Sequence, residues 1–205
     1  YQVHAIDIVA GDQNQPEYTK ICPNRKVPAI VDFDGPGGQR LVLWESAAIL
    51  MYLAEKAGKL WPSDPAAQAL GRQWLFWQMS YVGPMMGQAN VFFRYMEEKI
   101  PTAISRYHNE ARRLFTVLDG HLADNEYLAG DYSIADIANW CWVRTHKWSG
   151  VEIEGLKNLK RWSTAMYQQP GMKKGIEVPF SLGNLLDDKE QQESFKQEAR
   201  NILQK

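Results

Sequence analysis

Cysteine is scarce in this chain. Cys22 and Cys141 are the only two in 205 residues, and they stand far apart. That is too few for a disulfide scaffold, so both read as free thiols in a reducing, cytoplasmic setting. No Cys-x-x-Cys is present, which excludes a protein dithiol centre. Charge of one sign is lacking too. Lys and Arg number 23 against 24 Asp and Glu, a formal net charge of -1, so no global field favours nucleic acid or a membrane surface. No apolar run approaches the roughly 18–20 residues that span a bilayer. The four histidines, His4, His108, His121 and His146, have no metal-ligand spacing among themselves or with the cysteines, so no metal is expected. A phosphate-binding Gly-x-x-x-x-Gly-Lys-Ser/Thr loop and the dinucleotide glycine pattern are missing as well. The opening Tyr1-Gln2-Val3-His4 has neither the basic leader nor the apolar core of a signal peptide.

What is present divides near residue 60. Residues 1–58 mix short strands and short helices. Val3–Ile8 alternates in strand fashion, and Pro16–Ile21 reads as a helix with proline in its first turn. Val27–Val31 reads as a strand headed by Pro28, Gly35-Pro36-Gly37-Gly38 as a turn, and Leu41–Leu43 as the next strand. Glu45–Ala57 has Ala48, Ile49, Tyr52 and Leu53 at helical spacing and ends at Gly58. Residues 59–65 form a linker. Residues 66–183 read as all helical: Ala66–Gln88 with a weak point at Gly83-Pro84, Pro101–Asp124, a helix begun by the capping box Ser133-Ile134-Ala135-Asp136, and Leu156–Gln168 stopped by Pro170. Residues 184–205 are polar and are expected to be a partly ordered tail.

Two short features bear on chemistry. Glu45-Ser46 falls at a helix start directly after a strand. A helix N-terminus presents unpaired N–H donors and a partial positive charge, a seat for a carboxylate. Ser46 adds a hydroxyl and Glu45 a charge that holds an ammonium group. Together they suit the α-amino-acid end of a peptide, although simple helix capping is the commoner use of such a pair. Val27-Pro28 is the second feature. A cis bond there presents the preceding backbone to an extended peptide, whereas a trans bond is ordinary at a strand start. Asn24, Arg25 and Lys26 offer donors to a carboxylate or simply a solvated loop. Gln13 is plain by itself. Arg106 suits an anionic ligand or a surface ion pair. Trp74, Trp77 and Tyr81, at i, i+3 and i+7, read as a packing face, either core or dimer seam, as Trp140, Trp142 and Trp148 read as core. Cys22 has no evident His partner and reads as a buried, idle thiol.

Taken in order, three stretches resemble the glutathione transferase family: Cys22-Pro23-Asn24-Arg25-Lys26-Val27-Pro28-Ala29-Ile30, then Trp44-Glu45-Ser46-Ala47-Ala48-Ile49-Leu50-Met51-Tyr52-Leu53, then Tyr132-Ser133-Ile134-Ala135-Asp136-Ile137-Ala138. Gln73-Trp74-Leu75-Phe76-Trp77-Gln78 and Gly83-Pro84-Met85-Met86-Gly87-Gln88 are similar to the bacterial nu-class branch, the disulfide-bond oxidoreductase-like one, and to the related fungal nitrogen regulators. The resemblance covers about residues 1–175. It implies an α/β thioredoxin-like N-terminal domain followed by an all-α C-terminal domain. It implies glutathione as co-substrate, with the Val27 main chain pairing with its cysteinyl part ahead of a cis Pro28. Glu45 and Ser46 would hold the γ-glutamyl end. Gln13, Lys26 and Arg106 would supply further contacts, Arg106 across a homodimer.

The same resemblance implies a strand, loop and helix ahead of Val3, about 25 residues, so the native protein is expected to extend before Tyr1. The residue that activates the glutathione sulfur is expected in that segment. The implied activity is reduction of disulfides by glutathione, which needs no protein cysteine. Conjugation to electrophiles or reduction of organic peroxides is the alternative within enzymes. A non-catalytic glutathione-binding or regulatory module is the alternative outside them.

Overall fold

The computed structural model of the chain describes residues 1–181 and 188–203. Nine helices and two strands are labelled here in chain order among those residues: α1 Pro16–Thr19, β1 Ala29–Asp32, β2 Leu41–Trp44, α2 Ser46–Ala57, α3 Pro65–Trp77, α4 Gly83–Asn90, α5 Pro101–His121, α6 Ile134–Val143, α7 Lys157–Gln168, α8 Pro170–Gly175 and α9 Lys189–Leu203. A small strand-and-helix unit thus precedes a larger helical one, as the sequence implies.

The sheet is an antiparallel pair in which Ala29 faces Trp44 and Asp32 faces Leu41. The turn between the strands uses Gly37 and Gly38 at φ 69° and 71°, a backbone region open to glycine at little cost. The hairpin is fastened to α2 at its far end. Asp32 accepts hydrogen bonds from the Tyr52 hydroxyl and Lys56 Nζ, each 2.5 Å. The Lys56 bond, then the Tyr52 bond, hold the Asp32 carboxyl down to about 2.

The expected strand over Val3–Ile8 does not form. These residues lie in no strand, and Val3 and Ile8 are exposed. No strand among the described residues lies beside them to complete a ladder. Carboxylates take the local donors instead: Asp7 accepts from the Val9 and Ala10 amides and Asp12 from the Asp7 amide, at 2.9–3.0 Å. That chemistry makes a turn where the alternation suggested a strand.

The helix expected over Ala66–Gln88 continues past its weak point at Gly83-Pro84, as read from the sequence, and runs on to Asn90. Pro84 has no N–H to donate, and the helix widens there: the Gly83 amide reaches Gln78 O five residues back. A second widened turn over Val91–Tyr95 ends the rod, with Met96 N bonded to Val91 O at 2.9 Å. Its terminal carbonyls are met by cations. Lys99 Nζ donates to Phe93 O and Met96 O, both at 2.8 Å, and Arg200 Nε to Tyr95 O at 2.7 Å.

Arg200 belongs to α9, so the stretch expected as a polar tail is helical over Lys189–Leu203. The faint helical pattern is realised because Phe195 meets Trp148 edge to face at 5.5 Å while Arg200 caps the rod. Residues 184–187, 204 and 205 of that stretch lie outside the described residues.

The main core lies in the helical unit. α5 contributes Ala111, Leu114, Phe115 and Leu118 at helical spacing, and α7 contributes Leu159, Trp162 and Met166. Trp74 is buried in this core and meets Trp77 edge to face at 5.2 Å, whereas Tyr81 of the same stripe is exposed. Ala47 and Ala54 of α2 pack with Leu75, Ile134 and Ala138, joining the two units. The α6 capping box sits at that seam. Ser133 Oγ accepts from the Ala135 amide, and Asp136 accepts from the Ser133 amide at 3.1 Å. Asp136 is fully buried and also accepts from the Leu128 amide at 3.0 Å and Trp162 Nε1 at 2.9 Å. Burial pushes its carboxyl up, against those bonds, which pull it down. The Ile134 amide donates to Leu60 O at 3.0 Å, tying the linker to the same helix start.

Asp136→Ala strands three buried donors and should lower stability by about 2–4 kcal/mol, read from urea unfolding. The depressed Asp32 carboxyl contributes stability above its ordinary range, near 3.9, that is lost as pH falls toward 2. Carboxyl titration by NMR should put its midpoint near 2, and Lys56→Ala should return it toward the ordinary value.

Candidate functional site

The register of the hairpin builds the site. With Ala29 opposite Trp44, the residues just before β1 and just after β2 come to the same end. Val27-Pro28 therefore lies beside Glu45-Ser46. The Val27-Pro28 bond is cis. Val27 is 49% exposed, and its backbone has no backbone partner among the described residues. Tyr18 of α1 fixes the approach to this segment by donating its hydroxyl to Lys26 O at 2.7 Å. Burial, with the Cys22 thiol nearby, pushes the Tyr18 hydroxyl up, so it stays a donor at neutral pH.

Glu45 has φ 75° and ψ 113°, outside the ordinary regions for a residue with a side chain. Strain of that kind gathers where a ligand is held. Its carbonyl accepts the first helical bond, from Ile49 N at 3.0 Å, but its side chain makes no capping bond. The amides of Ser46, Ala47 and Ala48 have no acceptor among the described residues. Among the described residues the Ser46 hydroxyl has one hydrogen-bond partner, the Met79 sulfur at 4.0 Å. The capping use of this pair is thus not realised, and the positive end of α2 is open.

A pocket of about 200 Å³ occupies this end. Val27, Pro28, Glu45 and Ser46 line it, with Lys26 as its cation. Asn24 lines it too, whereas Arg25 does not. Sequence reasoning gave no role to two further lining residues, Cys22 and Trp44. The signal for Trp44 was its place next to Glu45 at the strand end. Cys22, with no evident His partner, reads from the sequence as a buried thiol, and it is buried. It is 1% exposed, so its thiol forms part of the floor rather than an open nucleophile.

Two expected residues stand apart. Gln13 does not line the pocket; its Nε2 donates to Ile8 O at 3.2 Å. Arg106 lies on α5, outside the lining, with Glu110 at 3.9 Å. Among the described residues no group of three or more His, Cys, Asp or Glu side chains gathers to hold a metal ion. No helix among them is long and apolar enough to cross a membrane.

Known proteins resemble this chain along most of its length. The glutathione S-transferase N-terminal domain model matches residues 1–55, and the C-terminal domain model matches residues 84–170. The disulfide-bond oxidoreductase YfcG of Escherichia coli (strain K12) is 41% identical over 172 residues, 83% of this chain and 80% of that protein. A glutathione transferase from Pseudomonas putida, solved with one glutathione disulfide bound per subunit, superposes with a TM-score of 0.83 at 39% identity, covering 87% of this chain and 81% of that one. Ure2p, solved with S-hexylglutathione, superposes with a TM-score of 0.78 at 31% identity, covering 86% of each chain. With its thioredoxin-like first unit, its helical second unit and these matches, the chain belongs to the glutathione S-transferase family.

Proposed function

We propose that this protein binds glutathione in the pocket between Val27 and Ser46 and uses it to reduce disulfides. The observation that carries the reading is the open N-terminus of α2, flanked by Glu45 and Ser46 and faced by the free Val27 backbone. The chemistry of glutathione matches this set group by group. Its γ-glutamyl carboxylate takes the α2 amides and the Ser46 hydroxyl, and its ammonium group takes Glu45. Its cysteinyl main chain pairs with Val27 as an added strand does. Lys26 takes the glycyl carboxylate. Gln13 and Arg106 are assigned to the rim of the same ligand, Arg106 from a second subunit. Exposed Leu70 and Phe76 of α3, with Tyr81 in the widened turn that follows it, are the apolar residues we assign to that homodimer.

The reaction runs between small-molecule sulfurs. A glutathione thiolate attacks one sulfur of the substrate disulfide, forms a mixed disulfide and expels the other half as a thiolate, which takes up a proton. A second glutathione thiolate attacks the mixed disulfide on its glutathione sulfur. Glutathione disulfide forms and the remaining substrate thiol leaves. No protein dithiol is needed, in keeping with two free cysteines, Cys22 in the segment between α1 and β1 and Cys141 on α6. Two findings favour this over conjugation or peroxide reduction: a relative named a disulfide-bond oxidoreductase, and a glutathione disulfide in the structure of another. The reaction belongs in a compartment where glutathione is kept reduced, such as the cytoplasm.

Steady-state assay with glutathione and hydroxyethyl disulfide should yield glutathione disulfide in step with protein concentration. Tight glutathione binding with no turnover would leave the protein a non-catalytic glutathione-binding module. Ser46→Ala should weaken glutathione binding, measured by calorimetry, by about 1–3 kcal/mol through loss of one charge-assisted bond. Unchanged affinity would remove Ser46 from the site.

A further inference from the structure

One contact joins the hairpin pocket to the helical unit through a sulfur atom. The Ser46 hydroxyl donates to the Met79 thioether at 4.0 Å, and both side chains are partly buried. Met79 stands in the widened turn Gln78–Val82, four residues after Leu75 of α3 and so on the same face. Leu75 is fully buried with Ala47 and Ala54 of α2, and Met79 packs on the same cluster. The face of the rod that backs α2 therefore ends on a sulfur beside the first residue of α2. Met79 does not line the pocket, whereas Ser46 does.

A thioether is a weak acceptor. It holds the Ser46 proton only until a stronger one arrives, such as a carboxylate at the open start of α2. Oxidation reverses that order. A hydroperoxide passes its outer oxygen to the methionine sulfur: the O–O bond breaks and an S–O bond forms. The sulfur gives up two electrons, and the peroxide leaves as water or an alcohol. The product is a polar sulfoxide, and its oxygen accepts hydrogen bonds far better than the thioether does. On the Ser46 side that oxygen lies one bond closer to the hydroxyl than the sulfur does, within the O–H···O reach of about 2.5–3.0 Å. It also brings the negative end of a dipole to the place where a carboxylate would sit.

We propose that Met79 is a site of oxidation by hydroperoxides, and that its sulfoxide withdraws the Ser46 hydroxyl from the ligand of the hairpin pocket. The consequence for affinity rests on glutathione being that ligand. With the thioether, Ser46 turns to the γ-glutamyl carboxylate at little cost. With the sulfoxide, its proton is held and the carboxylate loses one charge-assisted bond. Reduction by two thiols restores the thioether: the thiols become a disulfide and the oxygen leaves as water.

The test treats the full chain with hydrogen peroxide, then removes the peroxide with catalase. Peptide mass spectrometry reads one added oxygen on Met79, and calorimetry reads glutathione affinity. Affinity should fall about tenfold in step with the oxidised fraction, as loss of a charge-assisted bond predicts. Methionine sulfoxide reductases with dithiothreitol should restore it. Met79→Leu, which conserves volume, should bind glutathione within about twofold of the parent before and after treatment. Parental affinity in a chain whose Met79 carries the oxygen would overturn the proposal. So would an equal loss in treated Met79→Leu, which places the effect on another methionine or on Cys22. So would a Met79 left intact while the partly buried Met51, Met85 and Met96 are oxidised. If the untreated chain binds no glutathione, the proposed function fails, and NMR decides this proposal. Met79 oxidation should then shift the Ser46 amide and slow exchange of the Ser46 hydroxyl proton, and unmoved Ser46 signals would sink it.

Discussion

The antiparallel register of β1 and β2 is the constraint on which the rest of this protein depends. Side chains along a strand alternate between faces, so a slip of one residue would reverse every one of them. It would also part the Val27-Pro28 segment from Glu45-Ser46, which meet only because Ala29 faces Trp44. A two-stranded ribbon is marginal in water when left alone. This one is held at both ends. Asp32 grips Tyr52 and Lys56 of α2 at the turn end, and Tyr18 grips Lys26 O at the pocket end. The bonds that stabilise the ribbon are therefore the ones that aim the site.

The helical unit holds α2 from behind. Ala47 and Ala54 bring the α2 backbone close to Leu75, Ile134 and Ala138 because their side chains are small. Asp136 makes that seam rigid at an electrostatic cost. Its raised pKa means that desolvation outweighs the hydrogen bonds, so the charged form is disfavoured relative to an exposed carboxylate. The carboxylate is still the better occupant. It satisfies the Leu128 and Ser133 amides and the Trp162 indole together, and leaving those donors bare in a dry core would cost more. The same helix start carries the Ile134 bond to Leu60, so one buried group orders α6, the linker and the backing of α2.

Most of this was legible in the sequence because it is written in local chemistry. The Ser133-to-Asp136 spacing names its own cap, and glycines and prolines mark the turns. Glu45-Ser46 and Val27-Pro28 were legible as features, but their meeting depends on a register that no single segment encodes. The errors have a common cause. Val3–Ile8 has the alternation of a strand, yet a strand needs a neighbour, and alternation does not supply one; Asp7 and Asp12 decided the local fold. Residues 189–203 have the composition of a tail, yet Phe195 and Arg200 are enough to dock them on Trp148 and Tyr95. In both cases the partner lies far along the chain or outside the segment, where periodicity carries no information.

The charge pattern of the hairpin pocket bears on selectivity. The hairpin pocket places an anion, Glu45, next to an open helix N-terminus and a cation, Lys26. Such a pocket favours a ligand with both signs of charge at fixed spacing, because a simple carboxylate meets Glu45 as well as the helix end. An unpaired charge in a partly desolvated site is costly, so a ligand that leaves either sign unmatched is disfavoured there.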